Sequence, residues 1–305
     1  VIRDFIRSKQ PRKVIFSTYK SSHIVAKELK KIGLEPDLVF FDEAHNTVNK
    51  SINGYMLDDK NCKVKKRLFM TATPRTVNGG SSKYVSMDDE DIYGDVIDEI
   101  TVLDAIEKLG MLNDYEIITQ IIDSKYLEDL LKDNPYVFER GVLEETELKI
   151  ISGALAVHEA VEKKKVKNIV SFHSSVAKAQ LFKKNINSFT RNKPIYSFHV
   201  NGKESGTHRK RTLDEFASCS PSLVTNAQCL SEGVNVPSID AIIFVDPKQS
   251  KVSITQAIGR ALRKPRNSSK GKSQIIIPVV IDKDKPDEID ERYQEILMVL
   301  RSLAE

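Results

Sequence analysis

The chain has 305 residues, 40% of them apolar and 30% charged, with a net charge of +4. That length accommodates two domains of ordinary size, each with its own core, and the composition is that of a soluble globular protein. No apolar run approaches the roughly 20 residues of a membrane span, no N-terminal stretch reads as a signal peptide, and Cys62, Cys219 and Cys229 lack the spacing of a zinc site or a disulfide framework.

Cysteine usage of this kind suits a reducing compartment, cytoplasm or nucleus. Charge is uneven along the chain. Residues 1–100 carry 17 basic against 15 acidic side chains, residues 101–150 carry 5 against 12, and residues 151–305 carry 25 against 16. A basic C-terminal part suits a polyanion partner.

In chain order, residues 13–19 read as a strand, and residues 22–32 follow with apolar side chains at helical spacing until Gly33 stops the helix. Next comes Leu38-Val39-Phe40-Phe41-Asp42-Glu43-Ala44-His45. Its four apolar residues predict a strand buried on both faces. Two carboxylates stand at the C-terminal end of that strand, the end where open α/β sheets hold ligands. Residues 46–66 are loop-like, and Lys63, Lys65, Lys66 and Arg67 read as a solvated basic cluster. Arg67-Leu68-Phe69-Met70-Thr71-Ala72-Thr73-Pro74 is a second short strand ending in hydroxyl residues.

Residues 87–94 are acidic but lack the alternating ligands and closing Glu of a calcium loop, so they read as a turn and helix start. Residues 101–109 predict a short helix closed by Gly110. Residues 115–122 predict a strand, and residues 123–140 short helices between two lobes. From residue 144 the alternation is regular. Helices are expected at 144–163, 175–184, 209–217, 254–262 and 288–303, with strands at 168–173, 195–200, 222–225, 241–245 and 274–281. Such alternation gives an α/β fold with a parallel sheet covered on both faces.

Three stretches carry the chemistry in order: the Asp42-Glu43 corner, the Thr71–Thr73 strand end, and Gln256-Ala257-Ile258-Gly259-Arg260-Ala261-Leu262-Arg263. Together they resemble motifs II, III and VI of superfamily 2 helicases and translocases. The flavour is the DEAH-type group related to restriction-enzyme translocases and phage or mobile-element helicases. Thr18-Tyr19 resembles motif Ib, Ser171-Phe172-His173 motif IV, and Thr225-Asn226 with residues 231–237 motif V.

The resemblance implies two RecA-like lobes. Residues 1–100 would be the C-terminal part of lobe 1, residues 101–150 the inter-lobe connection, and residues 151–305 lobe 2. It also implies a nucleic-acid-stimulated ATPase acting as helicase or translocase, with Mg2+ as cofactor and ATP as substrate. In that family scheme Asp42 holds the metal, Glu43 activates the attacking water, and Arg260 and Arg263 reach the phosphates from the second lobe. Arginine suits that task because its planar, always-charged fork meets phosphate oxygens bidentately. Spaced by three on a helix, the two arginines can face one cleft.

Gly233, Asn235 and Gln256 would line the nucleotide, although many relatives have Asp where this chain has Asn235. His45, Thr71 and Thr73 would couple the ATP site to strand movement. Thr18, Tyr19 and Thr225 would grip a phosphate chain, DNA in preference to RNA, without reading its bases. His173 and His199 read as structural. Nuclease or other subunits are expected partners, and a membrane is not.

The phosphate loop G-x-x-x-x-G-K-[ST] is missing from residues 1–305. Gly271-Lys272-Ser273 does not replace it, because residue 266 is Arg and a strand follows. The chain therefore reads as the part of a motor that follows this loop, inactive toward ATP alone. The alternatives are a non-catalytic nucleic-acid-binding fragment, or the motor part of a restriction or nuclease system.

Overall fold

A computed structural model describes residues 2–49, 54–77, 83–123, 125–127, 129, 145–188, 193–227, 239–246, 251–264, 271–281 and 291–304. The chain divides into two compact units, Val1–Glu99 and Ile100–Glu305. Among the described residues no helix is long and apolar enough to cross a membrane.

The first unit contains helices α1 (Ile2–Arg7) and α2 (Ser22–Lys31) and strands β1 (Val39–Phe41) and β2 (Arg67–Phe69). Val25, Ala26 and Leu29 of α2 are buried, at helical spacing. Gly33 takes φ +65, and the Gly33 and Leu34 amides return to the carbonyls of Lys30 and Leu29. This left-handed C-terminal turn is the stop that Gly33 announces in the sequence. Strands β1 and β2 pair in parallel, Phe40 opposite Leu68. The core beneath them collects Ile6, Val25, Ala26, Leu29, Phe41, Ala44, Met56, Cys62 and Val64.

Two expectations fail in this unit. Residues 13–18 form no strand, and Val14 and Phe16 are 69% and 94% exposed, while Ile15 packs on the core. A strand needs a ladder partner as well as a suitable composition, and this segment pairs with none among the described residues. Strand β1 is covered on one face only. Phe41 is buried, but Phe40 is 58% exposed. The basic cluster after residue 62 is partly paired: Lys63 lies 3.0 Å from Glu35 and Lys65 2.6 Å from Asp37, with Arg67 on Asp59. The acidic run of residues 87–94 contributes a short helix, α3 (Glu90–Tyr93).

The second unit is built on a six-stranded parallel sheet. After α4 (Val102–Glu107) come β3 (Tyr115–Asp123), α5 (Glu145–Lys164), β4 (Asn168–Phe172), α6 (Val176–Asn185), β5 (Tyr196–Asn201), α7 (Gly206–Ser218), β6 (Ser222–Ala227), β7 (Ala241–Phe244), α8 (Lys251–Ala261), β8 (Ser273–Ile281) and α9 (Glu291–Ala304). The strand order is β3-β8-β7-β4-β6-β5. Strand β3, placed by the sequence reading in an inter-lobe connection, is an edge of this sheet and pairs with β8 along its whole length.

Both faces of the sheet are covered, as near-continuous apolar strands require. Val170, Phe172, Ile242, Phe244, Ile275 and Ile277 face one cluster with α7, α8 and α9. Their neighbours Ile169, Ala241, Ile243 and Ile276 face the other cluster, with α5 and α6. That is the period-two alternation of a pleated strand applied to both sides. Gly153 on α5 lies so close to α6 and the end of β7 that a Cβ there would stand 3.0 Å from the Phe182 ring and 3.1 Å from Val245.

Candidate functional site

The acidic corner forms where β1 ends. Glu43 takes φ 50 and ψ 49, the left-handed region that residues other than Gly, Asn and Asp rarely occupy. A conformation of this kind costs about 1–3 kcal/mol and persists only where the surroundings over-determine it. Here they do. Left-handed Glu43 turns the chain so that the Ala44 amide donates to the Met70 carbonyl at 2.9 Å, while the Met70 amide donates to the Phe41 carbonyl at 3.0 Å. The corner therefore continues the β1–β2 pairing past the strand ends. The Glu43 amide also donates to Asp42 Oδ1 at 3.0 Å.

Tyr19 closes the corner from outside. Its hydroxyl donates to the Asp42 carbonyl at 2.5 Å, and its ring stacks on Phe41 at 6.5 Å. The file continues from Phe41 to Phe69 and from Phe69 to Tyr93, each at 4.8 Å. Tyr93 then meets the Thr47 hydroxyl at 2.9 Å. Burial, with the charges of Asp42 and Glu43 behind it, pushes the Tyr19 phenol up to about 12. The phenol therefore remains a donor at any ordinary pH.

His45 is buried behind the acids. Its Nδ1 lies 3.0 Å from Thr71 Oγ1 and 3.4 Å from Glu43 Oε2. Thr71 Oγ1 in turn accepts from the Thr73 amide at 3.2 Å. The sequence-predicted residues Asp42, Glu43, His45, Thr71 and Thr73 thus come together at one end of the two-strand sheet. Thr18 is exposed and spends its hydroxyl on Ser21 at 3.1 Å. Tyr19, expected as a phosphate contact, instead anchors Asp42. Nothing local in the sequence marks that role, because the bond joins residues 23 apart.

In the second unit, Gln256 and Arg260 lie on α8, both half-buried. Arg263 is not on the helix as expected. Helix α8 ends at Ala261, and Arg263 is exposed in an isolated antiparallel bridge with Leu112. Gly233 and Asn235 lie outside the described residues. Thr225 is fully buried, its Oγ1 2.9 Å from His199 Nδ1 and donating to the Phe198 carbonyl at 3.3 Å. It stiffens the β5–β6 pair and offers no hydroxyl to a ligand. Lys272, in the stretch resembling a phosphate loop, pairs with Asp114 at 2.6 Å, and β8 follows it.

Ser171, His173 and Asp246 stand in the order of a hydrolase triad, Ser171 Oγ 2.9 Å from His173 Nε2 and His173 Nδ1 3.6 Å from Asp246. The three are 0%, 1% and 4% exposed, so no substrate carbonyl reaches the serine. Burial pushes the His173 imidazole down, against the pull of Asp246. Burial acts to raise the Asp246 carboxyl, but His173 and Lys178 outweigh it and hold it at about 2. Lys178 Nζ donates to Asp246 at 3.0 Å, so the group ties β4, α6 and the end of β7 together. This agrees with the structural role expected of His173.

Among the described residues no group of three or more His, Cys, Asp or Glu side chains could hold a metal ion on its own. A magnesium ion makes a smaller demand. It takes one or two carboxylates and completes its shell with water and substrate phosphates. Exposed Asp42, which keeps a carboxylate oxygen beyond the one bonded to the Glu43 amide, fits that pattern.

Comparison with known proteins places this geometry in a class. The profile described as the helicase conserved C-terminal domain matches residues 152–265, and that of the type III restriction enzyme res subunit matches residues 3–76. A probable helicase of African swine fever virus is 25% identical over 273 residues, covering 88% of this chain and 28% of the viral protein. The type ISP restriction-modification enzyme LlaBIII, solved bound to DNA, superposes with a TM-score of 0.79 at 24% identity, over 98% of this chain and 22% of the enzyme. A fragment of an HsdR subunit of a type I restriction enzyme from Vibrio vulnificus gives 0.52 at 17% identity, over 86% of this chain and 62% of the fragment.

The fold is therefore a RecA-like parallel α/β architecture. In sequence the chain resembles superfamily 2 helicases and restriction enzymes. It spans less than a third of the viral helicase and of the restriction enzyme.

Proposed function

We propose that these residues form part of an ATP-driven helicase or translocase acting on nucleic acid, DNA in preference to RNA. The observation that carries the reading is the left-handed Glu43 beside exposed Asp42, with buried His45 bridging Glu43 to Thr71. Strain at a strand end is retained where a side chain must point in one direction. The matched families and the DNA-bound relative support the choice of motor and of partner.

Phosphoryl transfer to water asks for positioning and charge neutralisation more than covalent chemistry. In the proposed mechanism Asp42 would hold a magnesium ion, which would supply charge neutralisation at the phosphates. Glu43 orients the attacking water and takes its proton. Arg260 and Arg263 of the second unit stabilise charge on the transferring phosphoryl group. His45 carries the state of Glu43 to Thr71 and Thr73, the strand end resembling motif III. Gly233, Asn235 and Gln256 contact the nucleotide, and Thr18 a backbone phosphate. The Asp42–His45 tetrapeptide then serves as a DEAH box.

The whole motor works beside a nuclease or other subunits, as restriction systems do. Residues 1–305 lack a G-x-x-x-x-G-K-[ST] loop, so on their own they are not expected to turn over ATP. The test is steady-state ATP hydrolysis by the full-length polypeptide, with and without DNA. Glu43→Gln, which keeps size and removes the base, should lower stimulated turnover by roughly 10²-fold or more and leave DNA binding in place. Turnover equal to wild type in that variant sinks the assignment of Glu43.

A further inference from the structure

Residues 112–114 do work that the proposed mechanism leaves out. They run beside the end of α8, where Arg260 and Arg263 stand. The Asn113 amide nitrogen donates to the Leu262 carbonyl at 2.7 Å. Its side-chain Nδ2 donates to the Gly271 carbonyl at 2.5 Å and to Ser273 Oγ at 3.2 Å. Ser273 Oγ passes the connection on, donating to the Ala261 carbonyl at 2.7 Å. The Ser273 amide donates to the Asp114 carbonyl at 2.8 Å, and Leu112 bridges Arg263. Asn113 is 6% exposed.

The last carbonyls of an α-helix have no partner within the helix, and water commonly satisfies them. At the end of α8 the Leu262 carbonyl is taken up by Asn113, far away in the sequence, and the Ala261 carbonyl by Ser273, to which the Asn113 side chain is bonded. Asn113 is the hub of this network. One residue grips the chain before residues 264–270, at Leu262, and after them, at Gly271. The partners are backbone groups flanking the two arginines, so the network fixes the direction in which this helix end presents them. Helical register alone cannot do this for Arg263, which lies beyond the helix.

We propose that Asn113 is a positioning residue for Arg260 and Arg263. The inference rests on the ATPase reading above and adds a residue that none of the resembling motifs includes. Asn113 touches no substrate in this account. It acts through the helix end, so its loss should lower turnover and leave ground-state binding alone.

The test uses the full-length polypeptide and compares Asn113→Ala, Arg260→Ala, the paired Arg260→Ala/Arg263→Ala variant and that pair combined with Asn113→Ala for kcat, KM for ATP, DNA affinity and thermal midpoint. Misplacing a catalytic group by about 1 Å can cost up to 10²-fold. Asn113→Ala should therefore lower kcat roughly 10- to 100-fold, with KM and DNA affinity unchanged, and should add nothing to the loss caused by removing both arginines. Should Asn113→Ala fail to fold, Ser273→Ala is the second variant. It is nearly isosteric, removes the same link to Ala261, and should show the same kcat-only loss.

A folded variant with wild-type kcat overturns the proposal. So does a loss that multiplies with that of the paired Arg260→Ala/Arg263→Ala variant, or one that falls equally on kcat and DNA affinity, since each marks a role independent of the arginines. If Arg260→Ala itself keeps wild-type turnover, the ATPase reading has failed and takes this inference with it. Loss in Arg260→Ala with none in Asn113→Ala rejects the inference alone.

Discussion

Phe40 and Phe244 both sit in parallel strands, yet Phe40 on β1 is 58% exposed and Phe244 on β7 is fully buried. In the second unit every strand flanked on both sides lies between helices, and apolar residues of both parities are used. In the first unit the two-strand sheet has one covered face. The acidic corner nevertheless reaches a strained and specific geometry on the thinner scaffold. A local file of rings from Tyr19 to Tyr93 and a short hydrogen-bonded ladder suffice to hold it. Depth of burial and precision of a site are separate properties here, and substitutions should separate them.

The largest effect is expected deep in the second sheet. Phe244 stacks on Phe172 at 5.5 Å with no exposed surface, so Phe244→Ala should cost about 3–5 kcal/mol through lost transfer energy and a cavity that cannot collapse. Denaturant titration measures this. A cost below about 1 kcal/mol would mean that the sheet is looser than its burial shows.

Acid should weaken the same unit next. Burial lowers the imidazoles of His158, His173 and His199. As pH falls below about 6.5 the unfolded chain takes up protons that these folded sites resist, so stability drops with falling pH. Asp246, held at about 2 by His173 and Lys178 against its burial, adds a second loss as pH falls below the ordinary aspartate range toward that value. Thermal midpoints measured from neutral pH downward should fall in that order, and a flat profile through the histidine range would contradict the burial of these rings.

Tyr19→Phe removes one hydrogen bond from the acidic corner and keeps the ring. The expected cost is about 0.5–1.5 kcal/mol, read by denaturant titration of the full-length polypeptide. Glu43 should suffer more than the fold, with lower ATP turnover at this small stability cost. The smallest effect is expected at Phe40→Ala, within about 0.5 kcal/mol on the exposed face of β1. A cost like that of Phe244→Ala would show that this face is covered in the whole protein and would erase the contrast between the units.

Much of this molecule was legible in the sequence, and the exceptions share a cause. Helices and strands of the second unit follow from apolar periodicity because each is covered by neighbours of this chain. The strand expected at residues 13–19 has the right composition, but no partner strand among the described residues makes it one. Full burial of β1 was inferred from a four-residue apolar run, which records what a strand could bury without recording what covers it. The acids, His45 and the two threonines converge as their motif order implies. Tyr19 was expected at a phosphate and Asn113 in no role, because both act through hydrogen bonds to distant backbone, and a single Tyr or Asn carries no periodic signal. Arg263 was misplaced by reading its spacing of three from Arg260 as helical, although the helix ends at Ala261, at the kind of boundary where sequence patterns are weakest.

The central claim is that Arg260, on α8 of the second unit, serves ATP hydrolysis. The most direct test is ATP turnover by the full-length polypeptide at saturating DNA, wild type against Arg260→Ala, with DNA affinity measured in parallel. The account predicts a fall of about 10³- to 10⁵-fold in turnover with DNA affinity nearly unchanged. Wild-type turnover in Arg260→Ala would contradict it.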